Sequence, residues 1–220
     1  MGGVGAFGKM PGMGDFLRLN VSARFVQVWD GWLQGAMLAA RNSLGDRWNE
    51  CYLSAPIWRF SLPRLSEDLP GVSGIMMPSV DRVGRQYPLT LAVPVPTGPS
   101  ALRHFANDLF FSQLEAIALM ALDQDLDRAA LEQHLAPVAL TAPPHIDMDP
   151  QTYAGKIPVE AILAGRSLDR AHGPSGIWTS SAQNDHRMFL TRDLPNEDQA
   201  LALFDANATI WRNSAVAVPA

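Results

Sequence analysis

A single cysteine, Cys51, is the only thiol in this 220-residue chain. That excludes an intramolecular disulfide and a cluster of thiolate metal ligands, and it suits a reducing compartment. Positive charge is also scarce, with 17 Lys and Arg against 22 Asp and Glu and a net charge of -5. Holding a phosphate backbone needs a concentrated basic excess, so nucleic acid is not an expected partner. No apolar run approaches the roughly 20 residues that span a bilayer, and the basic-then-apolar order of a signal peptide is missing. Membrane insertion is therefore not expected, and the cytoplasm is the expected location. Met1-Gly2 opens like a myristoylation start, but Ala6 stands where Ser or Thr is required. No internal repeat is visible.

What the chain does have is apolar mass: 47% hydrophobic residues, with six Trp and nine Phe. A chain of this length can bury roughly 70% of its unfolded surface, enough for one domain over residues 1–210, with 211–220 expected as a loose tail. Short strands are predicted over 3–7 and 15–19 around a Gly- and Pro-rich loop. Phe25, Trp29, Trp32, Leu33, Ala36, Met37 and Ala40 recur at helical spacing behind a Ser22 cap, so a long helix should run to about Gly45. Extended segments follow over 52–62, 72–77 and 87–95. A single helix is predicted over 100–122, capped by Ser100 and sharing Phe105, Leu109, Ser112, Ala116 and Leu119 on one face. A shorter helix is read at 126–135, a Pro-broken connector over 137–158, and a turn or two of helix at 159–163. Strands at 176–181 and 187–191 form a hairpin through Asn184 and Asp185, and Pro195 opens a last helix through Leu201, Phe204 and Ala208. The fold class is α/β: a single domain with a central mixed or largely antiparallel sheet flanked by helices.

Gly3, Gly5 and Gly8 have the spacing GxGxxG, and Gly3, Gly8 and Lys9 the spacing GxxxxGK. Both phosphate cradles need a strand before them and a helix after, whereas Met10, Pro11 and Gly12 follow here. A glycine-rich turn is the expected reading. His104, His134, His145, His172 and His186 show no paired helical spacing, and His145 lies with Asp147 and Asp149 in the connector. They read as solvated residues, and no metal or other cofactor is expected. Ser54, Ser61 and Ser79 lack a nucleophile-elbow setting, so no catalytic residue is expected.

The densest charged segment is Pro78-Ser79-Val80-Asp81-Arg82-Val83-Gly84-Arg85, between two apolar strands. Two guanidinium groups there can fix carboxylates or phosphates. Equally, Asp81 can pair with an arginine inside the loop, or Ser79 and Asp81 can cap its turn. Lys9, Asp15 and Arg18 make a second cluster that can share a groove with the first, depending on strand order.

These segments resemble a known family. Phe7-Gly8-Lys9-Met10-Pro11 with Gly14-Asp15-Phe16, the helix around Trp29, Ala55-Pro56-Ile57-Trp58-Arg59-Phe60 and above all residues 78–85 followed by Tyr87-Pro88-Leu89-Thr90 look like TagF. Ser175-Gly176-Ile177-Trp178 resembles its later Ser-Leu-Trp-Trp segment, with Thr179 in place of the second Trp. The likeness runs over residues 4–204. It implies a cytoplasmic post-translational regulator, usually a repressor, of type VI secretion assembly. Such a protein works by binding secretion components, among them the forkhead-associated scaffold protein, rather than by catalysis. The candidate partner-binding residues are Lys9, Asp15, Arg18, Ser79, Asp81, Arg82, Arg85 and Trp178. A competing reading takes the glycine-rich start and the arginine loop as a nucleotide or phosphate site, with hydrolase activity as an extension. The oligomeric state is left open.

Overall fold

A computed structural model of the chain describes residues 3–141, 155–182 and 185–212. Seven strands form one sheet: β1 (Gly5–Gly8), β2 (Leu17–Leu19), β3 (Trp58–Leu62), β4 (Gly71–Met77), β5 (Leu89–Val95), β6 (Gly176–Ala182) and β7 (Asp185–Thr191). Their order is β2-β1-β5-β4-β3-β6-β7, and every pairing is antiparallel. Of the mixed or largely antiparallel sheet expected from the sequence, the antiparallel alternative is the one that forms.

Helices cover both faces. On one lie α1 (Ala23–Leu44), α2 (Trp48–Ser54), α7 (Glu197–Phe204) and α8 (Thr209–Arg212); α4 (Asp108–Met120) and α5 (Arg128–Leu135) pack on the other, where α3 (Ala101–Phe105) also lies, with α6 (Val159–His172) against it. Strand alternation sends Trp58, Phe60, Leu62, Val72, Met76 and Trp178 to the first face, and Ile75, Met77, Leu89, Leu91, Val93 and Val95 to the second. Register fixes the partners: Phe60 lies opposite Trp178 on one side and Gly74 on the other. Trp29, from α1, stacks into this wall and donates its indole N–H to Thr90 Oγ1 at 2.9 Å.

Ser22 caps α1 as expected, its hydroxyl accepting from Phe25 N at 3.1 Å. Several expectations need correction. The extended segment read over 52–62 begins with the end of α2, where Trp48 and Tyr52, four apart, bury the same helix face. The single helix over 100–122 is two, parted at Ala106 and Asn107, where Asn107 Nδ2 donates to Arg103 O (2.8 Å) and Oδ1 accepts from Thr141 N (3.0 Å). Ser100 does not cap α3; its hydroxyl donates to Ser175 O, and the Asp169 carboxylate accepts from Ala101 N and Leu102 N at 3.0 and 3.2 Å. The face drawn through Leu109, Ala116 and Leu119 points outward, while Phe110, Phe111, Leu114, Ile117 and Ala118 are buried.

The turn or two of helix read at 159–163 extends through His172. Pro195 precedes α7, whose cap is Asn196 in a reciprocal box with Gln199. The expected hairpin forms between β6 and β7, with Asn184 of its turn outside the described residues. Most of the 137–158 connector, with His145, Asp147 and Asp149, also lies outside them, as do residues 213–220. No described helix is long and apolar enough to cross a membrane.

Candidate functional site

Residues 78–86 leave β4 and return as β5, and the loop is folded onto one carboxylate. Asp81 Oδ1 accepts from the backbone amides of Val83 (3.1 Å) and Arg85 (2.8 Å). Its Oδ2 lies 3.0 Å from Lys9 Nζ and 2.6 Å from Arg85 Nε. Burial alone would raise this carboxyl group's pKa; the Arg85 amide, the Lys9 ammonium, the Arg85 guanidinium and the Val83 amide outweigh it and hold the group well below the ordinary carboxylate range. Gly84, at φ 84°, supplies the left-handed residue that closes the turn, with its N–H on Asp81 O at 2.9 Å.

The same loop grips the one that follows β1. Arg82 Nη2 donates to Gly12 O, Arg82 N to Met13 O (3.0 Å), and Arg85 Nη2 to Gly14 O (2.7 Å). Gly12 is seated so close to the Leu126 carbonyl that a Cβ would collide with it. From the other side, the Tyr52 hydroxyl donates to Ser79 O (2.7 Å) and accepts from Ser79 N (3.1 Å). Burial raises its pKa above the ordinary phenol value, so it remains protonated. Trp48 Nε1 donates to Gln86 Oε1 at 2.6 Å. The loop is therefore braced from α2, β1 and the β1–β2 connection together.

The predicted residues divide by exposure. Lys9, Ser79 and Asp81, expected among the contact residues, are buried and frame the loop from within. Asp15, Arg18, Arg82 and Arg85 are exposed, Arg18 on β2 opposite Phe7, and both loop arginines already donate to their own chain. Trp178 is not part of this cluster. Expected among the contact residues, it is 0% exposed in the middle of β6, packed against Phe60, Trp29, Trp32 and Phe189.

Two apolar residues complete the exposed crown and were not expected. Val83, 72% exposed, sits at the loop tip between Arg82 and Gly84. Phe16, 42% exposed, packs edge-on against Tyr87 (centroids 4.7 Å apart), with Lys9 Nζ 5.2 Å from its ring centroid. A large apolar residue inside a charged turn was the signal available for Val83.

The glycine-rich start does not build a phosphate cradle. The chain leaves β1 into a turn, the first helix begins only at Ala23, and the Lys9 ammonium is taken by Asp81. His104 departs from the solvated histidines expected. It is buried on α3, with Nδ1 3.1 Å from Ser61 Oγ and Nε2 2.8 Å from Thr179 Oγ1, while Ser73 donates to Ser61. Burial first, then the charge of Arg59, depress its pKa to about 3, so the ring is neutral. Ser61 lies fully buried in mid-strand, which denies the Ser–His pair a substrate. Beside it, Arg59 makes a bidentate pair with Glu115 (2.6 and 2.7 Å) and bonds Asp108 (2.6 Å). Among the described residues, no three His, Cys, Asp or Glu side chains converge as a metal site.

The family model for the TagF N-terminal domain, described as type VI secretion system-associated, matches residues 5–138. The crystal structure of PA0076 from Pseudomonas aeruginosa PAO1 is similar to this chain at 27% identity and a TM-score of 0.76, over 99% of this chain and 97% of that one. No curated protein matches.

Proposed function

Because this chain belongs to the TagF family of type VI secretion system-associated proteins, we propose that it is a cytoplasmic post-translational regulator of secretion assembly. It acts as a repressor, by binding another protein rather than by catalysis. The observation that carries this reading is the braced crown around Asp81. A buried ion cluster fixes the 78–86 loop, leaving Arg82, Val83 and Arg85 exposed on it, with Phe16 exposed beside Tyr87 and Arg18 exposed on β2. Two apolar side chains among arginines, on a backbone that needs little ordering, form a surface suited to a protein partner. Occlusion is the mechanism: the crown holds a secretion component, the forkhead-associated scaffold protein first among the candidates, away from assembly.

Replacing both loop arginines would cut the struts to Gly12 and Gly14 as well as the surface. The cleaner test therefore uses Val83→Asp with Arg18→Glu, both exposed positions whose replacement should move stability by less than about 0.5 kcal/mol. Capture of the purified scaffold protein by immobilised chain should weaken at least tenfold in the double variant. Undiminished capture would remove the crown from the contact.

A further inference from the structure

At the sheet end opposite the 78–86 loop, β3, β5 and β7 finish and β4 and β6 begin. There the surface opens into a cleft of about 840 Å³. Its ionisable lining residues are Arg64, His172 and Arg192, and no carboxylate lines it among the described residues. Each comes from a different connection: Arg64 follows β3, His172 ends α6, and Arg192 follows β7. Among the described residues none of the three side chains has an ion-pair partner, whereas Arg24, Arg47, Arg59, Arg85 and Arg187 all do. In a chain of net charge -5, carboxylates outnumber cations, and yet none among the described residues lines this hollow.

The cleft is also tied together. Gly98 N donates to Pro63 O (3.4 Å), Ser175 Oγ to His172 O (2.9 Å) and Ser100 Oγ to Ser175 O, which joins its segments across the sheet end. Pro63, Pro99 and Pro174 stiffen its walls. Thr191, also on the lining, keeps a buried hydroxyl oxygen with no hydrogen-bond partner among the described residues. Cationic groups on low-dielectric concave walls concentrate a field that draws in anions. A guanidinium offers a planar, weakly hydrated fork that fits carboxylate and phosphate oxygens two at a time. The volume falls within the roughly 300–1,000 Å³ of small-molecule sites.

We propose that this cleft binds a small organic anion through a phosphate or carboxylate group. Arg64 and Arg192 grip the charge, and His172 lies beside them. The site rests neither on the family assignment nor on the docking crown, which lies at the other end of the strands.

The test is an amide-resolved NMR titration of the full chain with sodium phosphate and, separately, sodium citrate, at ionic strength held constant with chloride. Saturable shifts are expected at Gly98, Ser175 and Arg192. The larger affinity of the two probes identifies the preferred anion chemistry. Arg64→Gln with Arg192→Gln should weaken binding at least tenfold while leaving the circular dichroism spectrum unchanged. Should that pair fold poorly, Arg64→Lys with Arg192→Lys keeps the charge, removes the fork and should still weaken binding severalfold. No saturable shift with either probe up to about 10 mM, or full affinity in the arginine variants, overturns the proposal.

Discussion

Lowering the pH from about 7 to about 5 should remove roughly 2 kcal/mol of folding stability through one side chain, His104. Folded, its imidazole stays neutral down to about 3, because burial and then the Arg59 charge oppose its protonation. Unfolded, it takes a proton near pH 6.5. Between those values the unfolded chain binds the extra proton, so stability is complete above the unfolded pKa and declines as pH falls toward the folded one. The limiting slope is about 1.4 kcal/mol per pH unit, a readable fraction of the roughly 5–15 kcal/mol typical of a whole domain. Asp81 also loses stability in acid, since its folded pKa is depressed, but its window opens only below about pH 5, where unfolded carboxylates of pKa about 3.9 begin to protonate. The two are therefore separable. Urea midpoints and slopes at pH 7, 6 and 5 measure the effect, with His104→Gln as the comparison. Gln can still donate toward Thr179 but has nothing to titrate, so the variant should start less stable and then decline more slowly. Equal declines in the two proteins would refute the argument.

Asp81→Asn should lower the urea midpoint clearly and speed hydrogen exchange at the Val83 and Arg85 amides, because Lys9 is left buried without its counter-charge. Exchange unchanged at those two positions would mean that the carboxylate does not organise the loop. Gly165→Ala should destabilise by about 1–3 kcal/mol in thermal unfolding. The added Cβ lies 2.5 Å from Leu102 Cα, and that clash outweighs the gain of about 1 kcal/mol in helix propensity. Trp29→Phe should cost roughly 1–3 kcal/mol by leaving the buried Thr90 hydroxyl without its donor, plus the volume lost from the aromatic wall, as read from the denaturation midpoint.

Much of the scaffold was legible because single-sided patterns leave one solution. α1 carries one apolar stripe behind a serine cap, and β4 and β5 are apolar runs between turn residues. Patterns failed where a helix is apolar on two sides. Leu109, Ala116 and Leu119 have the spacing of a core face, and so do Phe110, Leu114 and Ile117; only the tertiary placement of α4 decides between them. The break before α4 depends on Thr141, far along the chain, supplying a donor to Asn107. The charged loop at the sheet end could be read as a place but not as a geometry. Whether Asp81 turned inward depended on Lys9 arriving from β1, and strand order alone settles that. The burial of Trp178 was not legible because a tryptophan near a family motif carries no mark of which way its strand faces. The partners of His104, Ser61 and Thr179, come from strands that meet only in the folded sheet.

The strand order β2-β1-β5-β4-β3-β6-β7 has a practical corollary. Residues 5–138, the span recognised by the family model, stop short of the final hairpin. A fragment cut there would strip β3 of its outer neighbour, baring a ladder of unanswered amides and carbonyls along Arg59, Phe60 and Ser61. It would also take away the ring that backs Phe60 and Trp29. Such a piece should clump rather than fold, and any dissection of the molecule has to carry the hairpin along.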